Sequence, residues 1–577
     1  MTDANISDNM DLFGDMAGFE PAGASNDASI SHEPEIAVEA DSVAVADTIE
    51  ADDEKKTTKA ERFVRFAQER VELFHDKNRE TFATVKQTGH TYRIESSMFS
   101  DWLTASLMFE ADMVAGEQPK REAIATLRSI ARHKGDELPV WNRCGIAEDG
   151  AYVVDLCQPD NSAAVVIRPG SWEWVMRPPV KFVRPADAMP LPTPIKGGDI
   201  SPLWSVSNIP GSFRPLVLAW LLEAIRPDTP YPVLELVGEE GTAKSTTQAA
   251  LRNLIDPNRC NLRSAPRNRE DVSVSASVNH VVSYENMSHL SADIQDVLCS
   301  VSTGGGYSTR KLFTNGEEHT LDFKNPIVLN GISAVITQQD LLSRAISIEL
   351  PRIMRRQEEG QTRAIFATHY ASMLGGLFDL LAASLAQLPN VSIDPRELPR
   401  MADFCKLGMA MYMATGKDPE SFRLAYADTQ RDSIQRTIDS SPVASAILAL
   451  LEHEPFGVTE PVGKILERLS GYKPERCEAW PKSGRGLGDA LRRLSPAFSK
   501  IGVEIRSRND LSKRDGIQWS IEKPRSTAKS SSPRSPRSQT SQNTEEREQC
   551  ERGELSLTAN RGESSSAGSG NDDCEVF

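Results

Sequence analysis

The chain has 577 residues, of which 39% are apolar, and a formal net charge of −17, enough for about three domains with cores of their own. No apolar run approaches the roughly 18 to 20 residues that cross a bilayer, and the acidic start lacks the basic-then-apolar order of a secretory signal, so a soluble cytoplasmic protein without a membrane partner is expected. The eight cysteines form no CxxC pair and have no histidine at ligand spacing, which points to neither a disulfide framework nor a zinc site.

The first predicted segment, residues 1–58, is a disordered acidic tail. Its first 54 residues hold 15 acids and no Lys or Arg, and so few apolar groups cannot offset the entropy of ordering. Removing those 15 charges leaves −2, so the overall acidity does not exclude a nucleic-acid partner, whose footprint would be a local basic patch. Residues 59–197 read as an α+β domain. Phe63, Phe66, Val71 and Phe74, then Ile124, Leu127 and Ile130, step at helical spacing. Short β runs follow at 151–156, 164–167 and 172–176, punctuated by Asp-Gly and Pro-Gly turns. Asp155 and Glu173 fall on these runs, and isolated acids on a small sheet are expected to face solvent. Residues 191–195 (Leu-Pro-Thr-Pro-Ile) with Gly197 and Gly198 read as a linker.

Residues 198–355 alternate helix and strand, as in a sheet with covering helices. Within them an apolar run at 232–237 breaks into Gly238-Glu-Glu-Gly241-Thr242-Ala243-Lys244-Ser245-Thr246. This is the phosphate-loop spacing with Ala243 where the second glycine normally stands. The chemistry needs loop N–H groups and a helix N-terminus turned toward phosphates, Lys244 to neutralise them, and the Ser245 hydroxyl on Mg²⁺. ATP and Mg²⁺ are therefore the expected cofactors, with Gly238, Gly241, Thr242, Ala243, Lys244, Ser245 and Thr246 as the cradle. The Ala243 methyl is tolerable unless that residue must take a positive φ.

About 40 residues on, 280–286 is a β run ending in Glu285 and Asn286. An acid at such a strand end completes the Mg²⁺ shell, and a neighbouring acid would activate water. Glu285 fits the first role, whereas Asn286 can orient water but cannot take its proton. Residues 303–311 (Thr-Gly-Gly-Gly-Tyr-Ser-Thr-Arg-Lys) open a basic hairpin carrying Arg310 and Lys311. A buried strand then ends in Asn330, and Arg344 precedes the strand at 345–350.

A helical region is expected over 356–438 and a compact end domain over 439–522. There Leu487, Leu491, Leu494, Phe498 and Ile501 form one helical stripe that Pro496 should kink or split. Two β runs follow at 503–506 and 517–521, and helix plus hairpin is what a winged helix requires. Nine Lys or Arg stand against three acids between Lys482 and Arg514, among them Arg492, Arg493, Arg506 and Arg508. Such an excess suits phosphate backbones, those of duplex DNA included, with a basic protein-docking surface as the alternative. Residues 523–577, rich in Ser, Arg and Pro and then in Ser, Gly and Asp, read as a second disordered tail.

The order of phosphate loop, acid-ended strand, basic hairpin, Asn-ended strand and downstream Arg resembles superfamily 3 helicases of the AAA+ class, particularly phage and plasmid primase-helicases. The resemblance covers residues 200–355. It implies an α/β fold with an AAA+-like P-loop NTPase core, and a C-terminal winged helix is common in the family. It also implies that Asn330 senses the γ-phosphate, that Arg310 and Lys311 grip single-stranded DNA in a ring's pore, and that Arg344, with Arg352 as second choice, reaches the neighbouring subunit's nucleotide. A DNA-dependent ATPase assembled as a homo-oligomeric ring, such as a hexamer, and acting in mobile-element replication is the leading expectation. The rival is a nucleotide-switched DNA-binding or assembly protein with weak hydrolysis, for which Asn286 is the motive.

Overall fold

The structure, a computed structural model, describes residues 57–310, 318–354, 357–439, 441–474, 480–508 and 518–523. Both predicted tails, apart from residues 57, 58 and 523, lie outside them. The fold is mixed α/β with several separate sheets.

The chain opens with α1 (Lys59–Arg70), β1 (Val71–His75), β2 (Thr81–Val85), β3 (Thr91–Arg93), α2 (Ser97–Ala111), α3 (Glu117–Lys134) and β4 (Asp136–Glu137). Thr58 starts α1 through a reciprocal capping box with Glu61. Val71 and Phe74, expected to continue that helix, instead begin a strand. Val71 is extended, and β1 pairs antiparallel with β2, whose five residues are all buried. Cross-strand packing of Phe74 on Phe82 thus overrides a helical step that spacing alone could not distinguish.

Next come β5 (Val140–Trp141), β6 (Cys144–Ile146), β7 (Tyr152–Asp155), β8 (Ala164–Arg168), β9 (Ser171–Val175) and β10 (Lys181–Phe182), with β6 to β9 forming an antiparallel sheet in sequence order. Glu173 is exposed as expected, but Asp155 is not: it is 1% exposed and takes two hydrogen bonds from the Arg184 guanidinium, at 2.7 and 2.8 Å. A buried carboxylate persists only with such a partner. The expected linker at 191–198 is packed as well. Leu191 and Ile195 donate backbone hydrogen bonds to Leu156 and Ala371, and a Cβ on Gly375 would collide with the Ile195 carbonyl.

The central part comprises α4 (Leu203–Val206), α5 (Arg214–Glu223), β11 (Val233–Val237), α6 (Lys244–Ile255), α7 (Arg269–Val278), β12 (Val282–Met287), α8 (Ala292–Thr303), β13 (Gly306–Arg310), β14 (Glu318–Asp322), β15 (Ile327–Gly331), α9 (Gln339–Leu342) and β16 (Ala345–Glu349). Four strands form a parallel sheet in the order β12-β15-β11-β16. β11 and β15 are buried along their whole length, as the inner strands of a covered parallel sheet must be. β13 and β14 make a separate antiparallel hairpin just before β15.

The helices α10 (Glu359–Gln387), α11 (Ala402–Ala414) and α12 (Pro419–Asp439) follow. Contrary to the expectation, one helical stretch, Glu359–Asn390, is long and apolar enough to cross a membrane. Its apolar residues from Met373 to Leu385 are buried in the largest core, with those of α5, β11 and α11. Core burial therefore accounts for its composition.

The last elements are α13 (Pro442–His453), β17 (Val458–Pro461), α14 (Val462–Ser470), α15 (Gly484–Lys500), β18 (Glu504–Arg508) and β19 (Gln518–Glu522), with an antiparallel sheet ordered β17-β19-β18. Pro496 does not split α15. Burial of Leu487, Leu491, Leu494 and Phe498 on one face keeps the helix whole despite a proline cost of about 3 kcal/mol.

Candidate active site

β11 runs up the middle of the sheet, and its carboxyl end passes into the loop 238–243 before α6 starts at Lys244. Gly238 must be a glycine, because a Cβ there would lie 2.7 Å from the Thr242 hydroxyl and 3.0 Å from the Leu350 carbonyl. Gly241 has φ 85° and Ala243 φ 53°. The condition under which the Ala243 methyl becomes costly is thus met, since the left-handed region costs an L-residue roughly 1–2 kcal/mol. Two contacts that spacing could not show brace the loop. Asn208 Nδ2 donates to the carbonyls of Thr242 (3.0 Å) and Pro351 (2.6 Å), and its N–H donates to Thr247 Oγ1 (2.9 Å).

Lys244 folds back over this loop, its Nζ donating to the carbonyls of Gly238 (2.7 Å) and Glu239 (2.8 Å). Partial burial lowers its ammonium somewhat below the ordinary lysine value, with Glu240 opposing. The first-turn N–H groups beside it have no intrahelical acceptor. Ser245 is half-buried and Thr246 exposed. The donor set therefore suits an anionic group bearing a divalent cation.

Glu285 and Asn286 come from the end of β12, one strand beyond β15. Pairing with β15 skips there: Tyr284 faces Leu329 and Met287 faces Gly331, so two residues bulge out between them. Asn286 takes φ 53°, which an Asn tolerates. Its backbone N–H donates to Asn330 Oδ1 at 2.9 Å. Asn330 is 0% exposed, and its Nδ2 donates to Gln248 Oε1 at 2.5 Å. The Gln248 amide in turn donates to Ser283 Oγ (2.8 Å) and to the carbonyls of Tyr284 (3.0 Å) and Val328 (3.3 Å). Gln248 lies one helical turn after Lys244, so this buried relay joins the loop helix to both flanking strands. Because Asn330 Oδ1 is taken by a backbone donor, its amide face is the one with a hydrogen to spare.

Glu235, on β11 itself, holds the turn that follows Asn330. One carboxylate oxygen accepts the N–H groups of Val335 (2.7 Å) and Ile336 (3.1 Å), and the other accepts the Ser347 hydroxyl. Burial raises the Glu235 carboxyl above its ordinary value, against these hydrogen bonds.

Arg344 lies at the opposite, amino-terminal edge of the sheet, where its carbonyl accepts the Val233 N–H. The five residues of β11 separate it from the loop, roughly 15 Å at strand rise, so it does not join Lys244 within one chain. Its side chain is 15% exposed and ion-paired to Asp340, which also binds Arg400 at 2.6 Å. Arg352 sits at the other edge: the neighbouring Ile353 donates to the Gly241 carbonyl, which places Arg352 beside its own loop. Arg310 ends β13 opposite Glu318, whereas Lys311 lies outside the described residues. In the end domain Arg492 and Arg493 are exposed on α15, Arg492 pairing with Asp489; Arg506, paired with Glu504, and Arg508 are on β18. Arg492, Arg493 and Arg506 do not join the loop residues.

Residues 203–432 match the family model of the actinomycete integrative conjugative element replication protein, and residues 443–537 match that of its C-terminal domain, together more than half of the chain. The chain belongs to this replication-protein family. It is thus a mobile-element replication protein, and DNA is the molecule it serves. No curated protein matches. Among solved structures, the A form apo structure of the NrS-1 C-terminal region aligns with 80% of this chain and 98% of that one, at 12% identity and a TM-score of 0.36. Another apo structure of the same region aligns with 81% and 100%, at 10% identity and a TM-score of 0.33. At these scores the likeness adds nothing to the assignment.

Proposed function

We propose that this replication protein is a P-loop ATPase that drives a superfamily 3-like helicase or translocase on DNA, working in the cytoplasm as a homo-oligomeric ring. One observation carries the reading: the loop on β11, Glu285 and Asn330 stand at the carboxyl ends of three adjacent parallel strands, where open α/β sheets bind ligands.

In this reading Gly238 to Thr246 hold the phosphates. Lys244 exchanges its two loop carbonyls for phosphate oxygens, Ser245 and Glu285 hold Mg²⁺, and Asn330 directs its spare amide hydrogen at the terminal phosphate. MgATP, when bound, supplies the free energy of phosphoryl transfer to water. Arg344, too far from its own loop, serves the nucleotide of the next copy. Arg310 and Lys311 grip single-stranded DNA. The end domain has the order helix, strand, helix, helix and hairpin, which supports a winged helix, and its arginines bind duplex phosphates.

The test is steady-state ATP turnover with and without single-stranded DNA. DNA-stimulated turnover that Lys244→Ala removes supports the motor, and turnover unchanged by that substitution refutes it. A second reading, a nucleotide-switched assembly protein with weak hydrolysis, is favoured by the exposed amide of Asn286 where a carboxylate would activate water. Asn286→Asp distinguishes the two, since the weak-hydrolysis reading expects turnover to rise.

A further inference from the structure

Beside Arg344 lies a cleft of about 260 Å³ whose walls include Ser343, Arg400, Arg423, Arg431 and Lys500. Most of its cations have a partner: Arg400 binds Asp340, Arg423 binds Glu397 and Glu420, and Arg431 binds Asp428. Lys500, at the end of α15, has no carboxylate partner among the described residues. Burial and the neighbouring Arg400 lower its ammonium, as expected of a positive charge facing another without compensation.

The reverse holds at the other edge of the sheet. Glu239 and Glu240 are exposed on the outside of the loop, and neither carboxylate has an ion-pair partner among the described residues. The two groups cannot meet within one chain, because β11 separates the loop from Arg344. Asp340 binds Arg344 and Arg400 together, so whatever enters the cleft also comes beside Arg344.

The geometry points to a head-to-tail contact between copies of this chain, in which the Glu239–Glu240 lip of one loop docks into the Arg400–Lys500 cleft of the next. This rests on the ring reading above and adds to it the surface that sets the register. Docking brings Arg344 of one copy beside the loop of the other and completes a site that neither copy holds alone. Opposite charges at such a contact set both affinity and orientation.

The test is sedimentation of the full chain with Mg²⁺ and a non-hydrolysable ATP analogue, comparing wild type with Lys500→Glu, Glu240→Lys and the double variant. Each single reversal is expected to raise the protomer concentration for half-assembly by about tenfold or more, and the double variant to recover most of the loss. Lys500→Ala gives a milder form of the same loss, and unchanged melting temperatures show that the fold is intact. Wild-type rings that Lys500→Glu leaves unaffected overturn the docking and spare the ring. Loss in both single variants without recovery in the double overturns the pairing. A wild type that stays monomeric at every concentration ends both readings.

Discussion

The two edges of the parallel sheet are built on opposite principles. At the carboxyl edge the loop is open, its lysine rests on backbone carbonyls, and two residues without glycine's freedom, Ala243 and Asn286, sit at positive φ. At the amino edge two arginines are held by carboxylates. Arg344 is held by Asp340, and Arg143, 3% exposed, binds Asp256 at the end of α6 with Nε to Oδ1 at 3.1 Å. Helix α6 connects the two, beginning at the loop with Lys244 and ending at Asp256. Backbone strain is concentrated at the open edge proposed to take the nucleotide, and rigidity is placed where the helix must be anchored.

The strongest way to break this contrast is Lys244→Ala. It should abolish nucleotide binding, measured with a fluorescent analogue, while leaving the melting temperature nearly unchanged, since Lys244 touches loop carbonyls and no core. Arg344→Ala should leave affinity near wild type and reduce turnover by about 10³-fold, the scale of an arginine supplied in trans. Mixing the two variants should restore part of the activity. No rescue in rings shown to exchange subunits would place the function of Arg344 within its own chain.

Arg143→Met probes the anchored edge. Removing one partner of a buried ion pair costs about 3–5 kcal/mol, measurable by denaturant unfolding. Burial pushes the Asp256 carboxyl up, but the Arg143 and Arg252 guanidiniums outweigh it and hold the group below its ordinary value. A carboxylate so depressed in the folded state contributes stability above its unfolded pKa that is lost as pH falls through the folded one. Wild type should therefore lose stability below about pH 4, and Arg143→Met should show less of that acid dependence.

Gln248→Leu cuts the relay between the loop helix and strands β12 and β15. Unpaired buried groups on Ser283 and Asn330 should cost about 1–3 kcal/mol, and turnover should fall more than nucleotide affinity as Asn330 loses its orientation. The smallest effect belongs to Ala243→Gly, which relieves the left-handed strain and should stabilise the fold by up to about 1 kcal/mol. A loss of stability there would show that the methyl contributes packing that outweighs the strain.

The loop was legible because its signal is local: strand, glycines and helix start follow one another within 15 residues of sequence. The residues that steady it were not. Asn208 reaches Thr242 and Pro351 across 34 and 143 positions, and Gln248 reaches Asn330 across 82, so no spacing rule connects them. The burial of Asp155 escapes the sequence for the same reason. A lone acid on a strand is usually solvated, and only the return of Arg184 beside it makes burial affordable.

Sequence by itself determined the strand-to-helix loop with its lysine, the helix-then-hairpin run at the carboxyl-terminal end and the order of the acid- and amide-ended strands. Each depends on residue types a few positions apart, which the backbone holds together in any fold. Tertiary structure alone decided that Val71 to His75 is a strand, that Ala243 is left-handed, that Asn330 is turned by Gln248, and that Arg344 lies at the far edge from Lys244. Those outcomes depend on which distant segment packs alongside, and burial and hydrogen bonding settle that only when the chain has closed on itself.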